Sequence, residues 1–128
     1  MPQCLRVYAE ASRRPGVRYR QARFMPDGKT LVALSDESGE VEFWKLPANG
    51  VGSPEQLTRD ARILRWDGMP SPDGRWIASP DKNQVLSLID AASGRSTAID
   101  SCDNWADFQD LRWSPDSRWL AYAKAAGN

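Results

Sequence analysis

The chain of 128 residues contains no histidine. A Ser-His-Asp or Cys-His catalytic set therefore cannot be assembled from it, because each needs an imidazole to take the proton from its nucleophile. Ser-Lys chemistry would remain, but only four lysines are present and none sits in a nucleophile motif. Zinc sites that use histidine are excluded as well. The two cysteines, Cys4 and Cys102, are too few for an all-thiolate site or a disulfide framework. No catalytic residue, no cofactor and no metal site is expected. No apolar run approaches the roughly 18 residues that cross a bilayer, and the first residues lack the apolar core of a signal peptide. The 17 basic residues match 17 acidic ones, so no net field draws the chain to nucleic acid or to a membrane. A soluble, cytoplasmic protein with neither of those partners is the expectation. Long stretches of helical periodicity are missing too, and nine prolines argue against them.

What is present is a hairpin written three times. Leu111 to Ala123 reads LRWSPDSRWLAYA, two short aromatic and aliphatic runs around Ser114-Pro115-Asp116-Ser117-Arg118. Runs this short and this apolar read as strands. Proline presets φ for a turn, and the aspartate can accept hydrogen bonds from the amides that follow it. Earlier copies run from Arg23 to Ala33, around Pro26-Asp27-Gly28, and from Pro70 to Ala78, around Pro72-Asp73-Gly74. Their aspartates, Asp27, Asp73 and Asp116, stand 46 and 43 residues apart. Strand-forming repeats of about 40–50 residues are the mark of propeller blades, each a four-stranded antiparallel sheet.

The fold class expected is all-β, a partial β-propeller with two complete blades and partial blades at both ends. Residues 1–16 read as the end of a preceding blade, with a strand at Cys4-Leu5-Arg6-Val7-Tyr8. Blade one covers 17–60, with strands at Val17 to Phe24, Leu31 to Leu34, Val41 to Leu46 and Glu55 to Thr58. Blade two covers 61–100, with strands at Ile63 to Trp66, Trp76 to Ser79, Val85 to Asp90 and Ser96 to Ile99. Asp67-Gly68-Met69-Pro70 reads as an insertion or bulge in this blade. Residues 101–128 form the first half of blade three.

One aspartate per copy is too few oxygens for a calcium loop, so turn stabilisation is the reading for all three. Most of the six tryptophans are read as packing between blades, with Trp105 set apart in an acidic loop. The first 30 residues hold seven basic side chains against Glu10 and Asp27. Within that cluster Arg18 and Arg20 share one face of a strand, and strict alternation puts Arg23 on the other. These arginines suit phosphates or peptide carboxylates, or form a solvated blade edge.

The tandem S-P-D-G/S hairpins resemble those of the Tol-system translocation protein, the prolyl and dipeptidyl peptidase propellers and tricorn protease. Longer stretches are more specific: Arg14-Pro15-Gly16-Val17-Arg18, then Ser35-Asp36-Glu37-Ser38-Gly39-Glu40-Val41-Glu42, then Asn49-Gly50-Val51-Gly52 before Gln56-Leu57-Thr58, then Trp113 to Tyr122. In this order they resemble the seven-bladed propeller region of tricorn-type proteases over nearly the whole chain. Phe24-Met25 replaces the usual Trp-Ser at the first copy. The resemblance implies a non-catalytic propeller attached to a serine peptidase that trims oligopeptides in the cytoplasm. The propeller would guide or filter peptides, and the catalytic residues would lie in a part of the family beyond this stretch. Arg18, Arg20 and Arg23 are then the candidate peptide-binding residues, and peptides or the remainder of a peptidase the expected partners. The rival expectation is a stand-alone interaction module. Two copies would pair their loose blade ends into a homo-oligomer with about six blades.

Overall fold

A computed structural model describes residues 16–60, 62–103 and 108–124. Within them lie ten strands and no helix. Blade one is the antiparallel sheet β1 (Tyr19–Phe24), β2 (Thr30–Ser35), β3 (Glu42–Pro47) and β4 (Glu55–Gln56), hydrogen-bonded in that order. Blade two is β5 (Met69–Pro70), β6 (Trp76–Pro80), β7 (Val85–Asp90) and β8 (Ser96–Ser101), again in chain order. β9 (Gln109–Trp113) and β10 (Leu120–Ala123) pair as a two-stranded third sheet. The strand expected at Cys4 to Tyr8, and Trp105, lie outside the described residues.

The three hairpins close in the same way. In each, the residue three before the last turn position offers its carbonyl to that position's amide: Met25 to Gly28 at 3.0 Å, Ser71 to Gly74 at 2.9 Å, Ser114 to Ser117 at 2.9 Å. Gly28, Gly74 and Ser117 all have positive φ (68°, 76° and 62°), a conformation that costs glycine least. The aspartate of each turn accepts the amide two residues on, from Lys29 at 2.8 Å, Arg75 at 3.0 Å and Arg118 at 3.1 Å. The Lys29 amide for Asp27, and the Ser71 and Ser114 hydroxyls ahead of the backbone amides for Asp73 and Asp116, hold the three carboxyls below the usual carboxylate range. The aspartates are spent on their turns.

Blade two starts differently from expectation. Ile63 to Trp66 contributes one isolated bridge, Arg65 to Asp81, and the innermost strand is Met69–Pro70. Met69 pairs with Ala78 and Pro70 with Ile77, as Arg23 pairs with Val32 and Phe24 with Leu31. Of the two readings of residues 67–70, the bulge holds and the insertion does not: Arg65 lies across from Asp81 and Met69 across from Ala78, so this segment carries one extra residue. Residues 67–70 hold the strand itself, shortened because proline contributes no amide to a ladder.

Cross-strand partners share a face, so the register separates the two faces of each blade. Val32, Leu34 and Phe43 of blade one meet Ile77, Ile89 and Ala91 of blade two in one core. Leu86 of blade two meets Cys102, Phe108 and Leu111 in the next. On the far face of blade one, Tyr19, Leu31, Ala33 and Leu46 form a third buried cluster. Two glycines set how closely blade two approaches blade one. A Cβ at Gly68 would fall 2.6 Å from Phe43 Cζ, and one at Gly94 would fall 1.8 Å from the Leu57 carbonyl oxygen.

Among the described residues no tryptophan is fully buried, yet Trp44 packs against the Tyr19, Leu31, Ala33 and Leu46 cluster and the Trp113 indole reaches the Met69 carbonyl of blade two, so the packing reading fails only at Trp66 and Trp119. Trp66 is 44% exposed and Trp119 is 74% exposed. Phe43, Leu34, Ile77, Leu86 and Ile89 fill the interior instead. Trp44 sits within β3, Trp76 and Trp113 stand at the ends of their strands, and Trp119 stands at a hairpin mouth; Arg75 stacks 5.6 Å from the Trp76 ring and Lys82 lies 5.7 Å from that of Trp66.

Candidate functional site

The innermost strands carry a repeated irregularity that aims the charged side chains. In β1 the register slips between Arg20 and Arg23, where Gln21 adopts φ 54°. In β9 it slips at the equivalent place, with Asp110 at φ 57°. Two residues then oppose one, as in a β-bulge, and alternation is reset. Arg20 therefore lies across from Leu34 and Arg23 across from Val32, on one face of blade one. The expectation that Arg23 faces away from Arg20 is overturned by this extra residue.

That reset brings Arg23 to blade two. Its guanidinium grips Asp67 with both ends of the fork, Nη2 to Oδ2 at 2.8 Å and Nε to Oδ1 at 3.2 Å. The Asp67 hydrogen bonds raise the Arg23 pKa against a smaller opposing effect of burial. Arg18 and Arg20 are exposed, and the Arg18 amide donates to Asp36 at 2.9 Å. Of the three candidate arginines, Arg23 lines a concave surface.

The concavity is a cleft of 350 Å³ at the inner ends of the three blades, with Arg23, Trp66, Asp67, Met69, Asp110 and Leu111 among its lining. A shallower groove of 200 Å³, lined by Phe24, Pro26, Pro70, Pro72 and Trp113, shares Met69, Leu111 and Arg112 with it. The Trp113 indole fastens the floor by donating to the Met69 carbonyl at 2.9 Å. Positive and negative groups alternate with apolar ones along this surface. No run of one charge forms.

A second polar group escaped the sequence reading. Arg65, 1% exposed at its side chain, stands between the blades: its Nη2 lies 2.9 Å from Asp60 and its Nη1 lies 3.7 Å from buried Glu42. Glu42 also accepts the Thr58 hydroxyl, and Thr58 Oγ1 accepts the Phe43 amide at 2.9 Å. Aligning the hairpins puts Arg65 at the position of Tyr19 and Phe108, both buried aromatics. That alignment was the available signal. Among the described residues, no three of His, Cys, Asp and Glu gather as a metal-ligand group.

Successive four-stranded antiparallel sheets, each entered by the same hairpin and each packed on the next, define a β-propeller segment. TolB from Acinetobacter baumannii superposes on 88% of the chain at a TM-score of 0.66 with 25% identity, and the chain spans 27% of it. An oligogalacturonate lyase in complex with manganese aligns over 84% of the chain and 30% of its own length, at a TM-score of 0.64. At 20% identity that likeness concerns the fold alone. No family model matches the chain. Tricorn protease homolog 1 of Streptomyces coelicolor is 31% identical over 116 residues, covering 85% of the chain and 11% of that protein. A tricorn-like protease C-terminal subunit of Sulfurisphaera tokodaii is 31% identical over 108 residues, 84% of the chain and 12% of its own length. WD repeat-containing protein 1-B of Xenopus laevis is 28% identical over 94 residues, 73% of the chain and 15% of that protein. The chain is a tricorn-like propeller segment, and it spans between 11% and 15% of these relatives.

Proposed function

We propose that this segment serves a tricorn-like serine peptidase without taking part in its chemistry, as scaffold and as part of a surface that guides peptides. The observation that carries the reading is the cleft at the inner ends of the blades. A peptide offers both backbone polar groups and side chains of either charge. The Arg23–Asp67 pair, Asp110, exposed Trp66 and the apolar Met69 and Leu111 provide partners for all of these. The cleft lies near the lower end of the volume range of ligand pockets and is open to solvent, which suits passage more than retention. Affinity near about 1 mM is expected for such contacts. The absence of histidine supports placing the peptidase chemistry elsewhere.

The test is a calorimetric titration of the chain with a defined pool of oligopeptides. Trp66→Ala, which removes an exposed ring, is expected to weaken binding several-fold while leaving the unfolding midpoint unchanged. The double variant Arg18→Ala/Arg20→Ala, outside the cleft, is expected to weaken it less. Equal binding by the parent chain and Trp66→Ala would contradict the assignment of the cleft.

A further inference from the structure

We infer that the open face of blade three is a docking surface for a further antiparallel blade carrying a carboxylate at the bulge of its innermost strand. The argument is independent of the peptide reading and rests on the repeat. Arg23 of blade one and Arg112 of blade three occupy the same place in the hairpin, each one residue before the end of its innermost strand and two after a left-handed residue. Arg23 lies across from Val32, and Arg112 lies across from Ala121. The register thus turns both arginines away from the preceding blade and toward the following one.

At blade one that following blade is present. Asp67, at the bulge position of blade two, receives both ends of the Arg23 fork, while Ile77 and Ile89 cover Val32 and Leu34 completely. At blade three the positions equivalent to Arg23, Val32 and Leu34, which are Arg112, Ala121 and Ala123, are all exposed. Among the described residues the Arg112 guanidinium bonds only to the Leu111 carbonyl, at 2.9 Å. Ala121 and Ala123 stand where blade one has Val32 and Leu34, so the face is apolar beside the arginine. A bidentate carboxylate is the natural complement of a guanidinium fork.

A second copy of this chain does not meet these terms. Its blade one has Gln21 at the bulge position, and Tyr19, Leu31 and Leu46 on the face it would present are already buried to 2%, 5% and 4% exposure.

The experiment continues the chain after Lys124 with a second copy of residues 36–103. This completes blade three and sets a copied Asp67 opposite Arg112. Arg112→Gln is expected to lower the unfolding midpoint of the lengthened chain by about 2 °C and to leave the 128-residue chain unchanged. The loss should vanish when the copied Asp67 is already Asn. The cycle of Arg23→Gln with Asp67→Asn in the parent chain sets the size of coupling to expect. Equal effects in both chains, or a loss that survives the Asn variant, would overturn the inference. So would a lengthened chain that fails to unfold in one transition with a larger denaturant slope than the parent. A discrete dimer of the parent chain that Arg112→Gln disperses would give the face to a second copy and overturn it too.

Discussion

Arg65 is the residue on which the first blade interface depends most. It is a charge removed from water, offset by Glu42 and Asp60 and by the Phe43 ring 5.9 Å away. Removing one member of a buried ion pair leaves the other uncompensated, at a cost of about 3–5 kcal/mol. Arg65→Ala is therefore expected to lower stability to chemical denaturation by about that amount. The variant Arg65→Phe/Glu42→Val, which restores the residue types of blade three and blade two at these positions, should recover most of the loss. A double variant as unstable as Arg65→Ala would mean that the charges themselves hold the interface. Gly94 is the second sensitive position. Its φ of +77° and the Leu57 carbonyl in the space of a Cβ leave no room for a side chain. Gly94→Ala should cost more than about 2 kcal/mol from strain and overpacking combined, read in the same unfolding experiment. Neither residue announces its role in the sequence. An arginine reads as surface until the hairpins are superposed, and a glycine in a Ser-Gly turn reads as a turn residue only.

At the scale of elements, the hairpin is the feature that local chemistry determines most fully. Proline, aspartate and a left-handed last position act within a few residues, so the turns and the strands flanking them were legible. The bulges at Gln21 and Asp110 were not, because neither position carries glycine and the slip is fixed by pairing with a distant strand. The start of blade two was misplaced for a related reason. Ile63 to Trp66 has strand composition, but β6 takes Met69–Pro70 as its inner ladder partner, and the earlier segment reaches it through the Trp66 amide on the Pro80 carbonyl and the Arg65–Asp81 bridge just beyond its end. The link between β8 and β10 offers a test through pH. Lys124 and the Tyr122 hydroxyl, each 2.8 Å from Asp100, hold its carboxyl down to about 2, and the Lys124 and Tyr122 pKa values rise in return. A carboxyl whose folded pKa lies below its unfolded value near about 3.9 stabilises the fold above that value. The contribution fades as pH falls toward about 2. Thermal unfolding followed from pH 5 to pH 2 should show a shallower acid slope for Asp100→Asn than for the parent chain. Identical slopes would remove Asp100 from the acid response.

At the scale of the whole molecule, the structure is a run of blades each finished by the next. The cores lie between sheets, so the unit of stability is an interface, and the inner ends of successive blades together make the cleft. The propeller class was readable from repeat spacing alone, since about 40–50 residues of strand-forming sequence leave few other architectures. The cleft was half readable. Arg23 was among the residues singled out, but Trp66, Asp67 and Asp110 come from the two later blades, and their meeting follows from the way the blades stack. Peptide guidance by that surface is the central functional claim. The measurement that tests it most directly is a heteronuclear NMR titration of the isotope-labelled chain with the oligopeptide pool. Shifts concentrated on Arg23, Trp66, Met69, Asp110 and Leu111 are expected. Shifts confined to the outer strands, or none at millimolar peptide, would contradict the claim.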